Sequence, residues 1–291
     1  MTNQRLILYK AFFHDILVSK VKGRDNRKHM DNVSILSTLL RYMNESHPNT
    51  TQFSIAEGML KNFKDIPTLS IYDMAEQCYV SPASISRFIK QLGFDTYGHF
   101  KRACKDSIDI DVDYSAHVLK AQQVDIEPLF QMYTENVKEN LSYNLLNIDF
   151  EKLSRISDMI YKADKVVYLG LEFATLVGQH YQQKMAECNR YIHLPLSYEK
   201  QQEFAKESTS NSLAIVVSLE GGYFYHNRKV INQLKENGTK IIAITMSHNS
   251  KMLRDIDEAI ICNKNNSDTE GRISLLHTLE LLIMYYYINY K

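Results

Sequence analysis

Cysteine is scarce. The four thiols in 291 residues, Cys78, Cys104, Cys188 and Cys262, lie far apart and form no C-x-x-C or Cys/His cluster. They read as reduced, buried or half-buried thiols, and neither a disulfide framework nor a metal site is expected. Long apolar runs are also missing. No stretch approaches the ~20 apolar residues needed to span a bilayer. The opening segment holds Leu6–Leu8 and Ile16–Val18, but Lys10, His14 and Asp15 interrupt them, so no signal-peptide core forms. A cytoplasmic protein without membrane attachment is expected.

Net charge is absent as well, because 34 Lys/Arg balance 34 Asp/Glu. That zero hides an asymmetry. Residues 1–105 carry 15 Lys/Arg against 9 Asp/Glu, a balance of +6, and residues 106–291 carry 19 against 25, a balance of −6. A basic front joined to an acidic back suits a polyanion-binding module attached to something else. The length allows two domains with separate cores. At 44% hydrophobic and 23% charged, the composition is that of an ordinary globular chain.

The stretch that organises the front half is Thr68–Gly93, TLSIYDMAEQCYVSPASISRFIKQLG. It reads as two short helices broken by a tight turn. Ile71, Met74, Ala75 and Cys78 fall at helical spacing behind Ser70, a good N-cap. In the second helix Ser81 caps, Pro82 takes the first position, and Ile85, Phe88, Ile89 and Leu92 form the apolar face before Gly93 ends it. The opposite face carries Ser84, Ser86, Arg87 and Lys90. Small polar groups that admit close approach, followed by long cations, suit a helix entering a DNA major groove. Residues 81–105 hold five Lys/Arg against the single acid Asp95, and Tyr97, His99 and Lys101 follow where phosphates could be met. An ordinary solvated helical hairpin would share the spacing but has no need of the basic flank.

The run SIYDMAEQCYVSPASISRFIKQLGFDTYGHFK closely resembles the helix-turn-helix of RpiR/MurR-type bacterial transcription regulators over roughly forty residues, departing mainly at Cys78–Tyr79 and Asp95–Thr96. In that family the second helix reads DNA, which points to Ser81, Ser84, Ser86, Arg87 and Lys90, with Tyr97 and Lys101 on phosphates. The resemblance also implies a C-terminal sugar isomerase (SIS) domain.

The back half agrees in rhythm. From Asp164 the short β-rich runs KVVYLGL, RYIHLP, LAIVVSL, KIIAITM and EAIIC alternate with the helical stretches Phe173–Cys188, Tyr198–Lys206, Tyr225–Glu236 and Ser250–Asp255. Such alternation predicts a five-stranded parallel sheet with helices on both faces, a three-layer α/β/α domain following the all-α helix-turn-helix domain. The expected division is a DNA-binding domain over 1–105 with an N-terminal extension over 1–30, a linker over 106–127, and a SIS-like effector and dimerisation domain over 128–291. Glu270–Tyr290 reads as a long helix whose apolar surface exceeds one stripe, so part of it could meet a second subunit.

In such sheets ligands bind at the C-terminal strand ends. The loops there are Gly170–Thr175, Ser218–Tyr223 and Thr245–Ser250. SIS domains usually hold phosphosugars with a G-x-G-x-S loop and an S-x-S-G-x-T loop. This chain departs from both: Glu172 replaces a glycine, Ala174 a serine, Glu220 a serine and Tyr223 a threonine. The resulting ligand set is Glu172, Ser218, Glu220, Gly221, Thr245 and Ser250. Two unit charges about 4 Å apart repel by about 4 kcal/mol at an effective dielectric of about 20, so carboxylates here oppose a phosphate. Three readings stay open: a neutral or cationic ligand, a dimerisation scaffold without ligand, or a rearranged loop that still holds a phosphosugar.

SIS domains also occur in sugar-phosphate isomerases, which need a base near the substrate carbon. Glu172, Glu220, His226, His248 and His277 qualify by type alone, and no catalytic residue is assigned. The sequence therefore reads as an RpiR-type regulator without cofactors, controlling carbohydrate genes. It would act as a homodimer or homotetramer on a palindromic operator, with a sugar-derived effector, and a SIS-type isomerase is the alternative.

Overall fold

A computed structural model describes residues 35–110, 126–263 and 270–291. The N-terminal extension and most of the charged segment before Ile126 lie outside the described residues. Among the described residues no helix is long and apolar enough to cross a membrane.

The front half is all helical: α1 (Ile35–Glu45), α2 (Thr51–Lys61), α3 (Ile71–Gln77), α4 (Pro82–Gln91) and α5 (Tyr97–Ile110). Their apolar faces meet in one core. Leu39, Ile55, Met59, Ile66, Met74, Ile85, Phe88 and Phe100 are almost fully buried. Phe88 meets the ring of Tyr42 edge-on at 5.1 Å. Gly58 lets α2 approach α3, since a Cβ there would fall 2.6 Å from Cys78 Sγ. Helix α5 continues to Ile110, five residues into the segment expected to be linker.

The back half opens with α6 (Ile126–Leu146) and α7 (Phe150–Lys162). Pro128 sits in the first turn of α6, where its missing N–H costs nothing. Then come β1 (Lys165–Leu169), α8 (Phe173–Glu187), α9 (Tyr198–Glu207), β2 (Ser212–Ser218), α10 (Gly222–His226), α11 (Arg228–Glu236), β3 (Lys240–Thr245), α12 (Ser250–Leu253), β4 (Glu258–Ile261) and α13 (Gly271–Tyr290). The sheet is parallel in the order β1-β2-β3-β4.

Strand alternation divides the core in two. Val166, Tyr168, Ile215, Val217, Ile242 and Ile244 face one layer, supplied by α7, α8 and α13. Val167, Leu169, Ala214, Val216, Ile241 and Ala243 face the other, supplied by α9, α10 and α11. This is the three-layer arrangement expected from the sequence.

Two details differ from the sequence reading. Among the described residues the sheet has four strands instead of five, because RYIHLP contributes only a single parallel bridge, Val167 to His193. His193 exchanges backbone hydrogen bonds with β1, donating to Val166 O and accepting from Tyr168 N, and Pro195 soon follows without an N–H to extend the ladder. The expected helix Tyr225–Glu236 is instead two helices that begin at Gly222 and break at the buried Asn227. The bridge still fixes the topology. From β1 the chain passes first to one side of the sheet, at His193, and then to the other, at β2. The crevice at the carboxyl ends of β1 and β2 is therefore the topological switch point.

Candidate functional site

Two surfaces carry the residues of interest. On the first, α3 and α4 form the hairpin. Ser70 and Asp73 make a reciprocal capping box: Ser70 Oγ accepts from Asp73 N at 3.2 Å, and Ser70 N donates to Asp73 Oδ2 at 2.9 Å. The side-chain and backbone hydrogen bonds from Ser70 hold the Asp73 carboxyl below its usual range, and Lys101 adds to the effect. Helix α4 starts as the sequence indicates, with Ser81 Oγ accepting from Ser84 N at 3.2 Å and Pro82 in the first turn. It ends with Gly93 at φ 94° and Phe94 N donating to Ile89 O.

Burying Ile85, Phe88 and Ile89 turns the other face outward. Ser84 Oγ lies 3.0 Å from Ser81 Oγ and accepts from Arg87 Nη2 at 3.4 Å. Arg87 and Lys90 are exposed, and Ser86 is half-buried beside them. This row is what base and phosphate contact requires: a fork of donors on a rigid helix with small neighbours. Lys101 is half-buried near Asp73. Tyr97 differs from the expectation that it meets phosphate. Its hydroxyl is buried without a hydrogen-bond partner, and burial pushes its pKa up. Two aromatics outside the sequence-based set stand exposed instead, Tyr72 on α3 and Tyr79 in the turn, the latter 96% exposed at φ 54°. The departure at Cys78–Tyr79 was the available signal for Tyr79.

The second surface is the carboxyl edge of the sheet, where the three loops lie side by side and Ser218 is in register with Thr245. Ser218 is nearly buried, and its Oγ accepts from Tyr223 N at 3.1 Å. Thr245 is fully buried; its Oγ1 donates to Leu219 O at 3.2 Å and accepts from Ser247 N at 3.1 Å. Gly221 has φ 82°, and a Cβ there would fall 2.3 Å from Met252 Sδ. Ser250 is exposed at the start of α12, which Asn249 caps. Glu220 is exposed, as is Glu172, which sits at φ 51°, ψ −118° before α8 without capping it. The Glu172 carboxylate instead accepts from Ser37 Oγ, on α1, at 2.7 Å.

The three loops at this edge carry the sequence-based ligand set; the hydroxyls of Ser218 and Thr245 are turned inward, and Ser250 is exposed. Of the residues considered as bases, Glu172, Glu220, His226 and His248 lie exposed on these loops or just beyond them. His277 sits on α13, with Nδ1 buried and unpartnered. All four cysteines are buried and unbridged. Burial pushes the thiols of Cys78 up to about 11 and of Cys104 and Cys262 up to about 12, which leaves them protonated and unreactive.

Residues 36–109 match the helix-turn-helix domain of the rpiR family, and residues 159–285 match the SIS domain. The chain is 25% identical over 195 residues to an HTH-type transcriptional regulator of Clostridium perfringens, covering 66% of this chain and 69% of that protein. It is 22% identical over 204 residues to the HTH-type transcriptional regulator HexR of Pseudomonas aeruginosa, covering 68% of each. Among solved structures, Vibrio vulnificus NanR complexed with ManNAc-6P aligns at 17% identity and a TM-score of 0.49 over 88% of this chain and 92% of that one. The sugar isomerase domain of an RpiR transcription factor from Sphaerobacter thermophilus aligns at 19% identity and a TM-score of 0.48, over 57% of this chain and 92% of that one. A helix-turn-helix with its cationic face outward, followed by a parallel α/β sheet, makes this chain a DNA-binding transcriptional regulator of the RpiR family, with a SIS domain behind its reading head.

Proposed function

We propose that the SIS domain senses an unphosphorylated sugar or amino sugar and that the regulator controls carbohydrate genes accordingly. The observation that carries this reading is the inverted polarity of the sheet edge. Ser218 Oγ accepts from Tyr223 N and Thr245 Oγ1 bonds Leu219 O and Ser247 N, while Glu220 and Glu172, the latter holding Ser37, lie exposed at the rim with Ser250. Carboxylates accept from sugar hydroxyls or ammonium groups and repel phosphate.

On the DNA side, Arg87 reads a base edge, and Ser81, Ser84 and Ser86 allow the close approach. Lys90 and Lys101 meet phosphates. The chain acts by binding, not turnover, in the cytoplasm. Residues 1–105 and 128–291 are its working halves, and a homodimer of SIS domains sets two recognition helices about 34 Å apart, or a multiple, on a palindromic operator. Ligand shifts the population between DNA-competent and incompetent arrangements.

Thermal unfolding of the full chain with glucose, glucosamine, N-acetylglucosamine and their 6-phosphates tests the ligand class. A ligand at a hundred times its Kd stabilises by about 2.7 kcal/mol, which raises Tm by several degrees in a chain of this size. Saturable stabilisation by an unphosphorylated sugar is expected. The same response to a phosphate ester alone would overturn the assignment.

A further inference from the structure

Glu172 combines three features that have no common purpose within its own loop. Its backbone sits at φ 51°, ψ −118°, a region that suits glycine and strains a residue with a Cβ. It occupies the N-cap position of the 15-residue helix α8 but makes no side-chain cap bond to it. Its carboxylate reaches across 135 positions of sequence to accept the hydroxyl proton of Ser37 at 2.7 Å, on the first described helix of the DNA-binding domain. Strain of this kind persists where the surroundings over-determine it. Here the strained backbone aims a carboxylate away from α8 and toward α1.

We infer that the loop after β1 is a docking site for the chain's own DNA-binding domain, with Glu172 as the acceptor and Ser37 as the docked hydroxyl. An aliphatic hydroxyl on a carboxylate is also the contact a polyhydroxy ligand would make. Resting on the ligand reading above, the same carboxylate therefore serves two occupants in turn: a sugar hydroxyl that takes Glu172 releases Ser37 and undocks α1. The chemistry favours a neutral polyol over an anion, because an incoming phosphate would face the carboxylate and could not replace a donor.

Hydrogen exchange of the α1 amides in the full chain tests the docking. Ser37→Ala and Glu172→Ala should each speed that exchange roughly fivefold, the change expected from losing one hydrogen bond of ordinary net strength. The double variant should exchange no faster than either single one, because the two side chains act through one bond. Ser37→Thr, which keeps the hydroxyl, should stay near the parent rate. Unchanged exchange in both single variants, or effects that add in the double, would overturn the docking. A second arm adds glucosamine to the parent chain. Faster α1 exchange that Glu172→Ala abolishes supports the competition, and glucosamine binding, seen as a Tm rise, without any change at α1 overturns it. Failure of every sugar to raise Tm would remove the ligand reading while leaving the exchange cycle to judge the docking by itself.

Discussion

The recognition helix and the sheet edge put their polar side chains to opposite uses. On α4 the core-facing residues Ile85, Phe88 and Ile89 are satisfied by packing, which leaves Arg87 and Lys90 exposed on the other face. At the sheet edge the hydroxyls of Ser218 and Thr245 bond neighbouring backbone, and the exposed residues are Glu172, Glu220 and Ser250. A helix satisfies its own backbone internally, so its outward side chains can be assigned to a ligand from periodicity. A loop must satisfy its backbone with the very groups that would otherwise bind, and residue type alone does not reveal which use prevails.

Two adjacent residues sharpen this for the helix. Phe88→Ala empties a buried site beside Tyr42 and should cost about 3–5 kcal/mol of stability, measured by urea unfolding. For the sheet edge, Gly221→Ala should cost about 1–2 kcal/mol, since a Cβ must take a left-handed φ while the flexible Met252 thioether gives way. A neutral outcome there would mean that the loop rearranges easily, and the contrast between rigid helix and committed loop would fail. Arg87→Ala should leave stability within about 0.5 kcal/mol and weaken operator binding by about 1–3 kcal/mol with relaxed sequence preference, read by titration against specific and random duplexes. Equal losses on both duplexes would reassign Arg87 to the phosphates.

Local signals carried the helix-turn-helix. Ser70, Ser81, Pro82 and Gly93 each act through chemistry within three or four residues, and each sits where its type indicates. The α/β rhythm was legible for the same reason, apart from RYIHLP, whose pairing with β1 stops after one bridge. The split at Asn227 was hidden, because its burial depends on the layer packed above it. Nor could spacing disclose that the Tyr97 hydroxyl turns inward or that Glu172 meets Ser37. Both depend on which distant segments the fold brings together.

The smallest expected effect separates phosphate contact from base reading on the flank of the hairpin. Lys101→Ala should weaken specific and random duplexes alike and reduce the magnitude of the salt slope by about one, the signature of one lost phosphate contact. The loss should be modest, because Lys101 is half-buried and part of its charge already acts on Asp73. Since Asp73 closes the capping box of α3 with Ser70, the variant also tests whether that cap depends on the lysine. The carboxyl is held down first by its hydrogen bonds from Ser70, so the helix should remain intact. A salt slope that does not change while the helix content falls would place Lys101 in the scaffold of the hairpin and leave Arg87 and Lys90 as the cations that face the duplex.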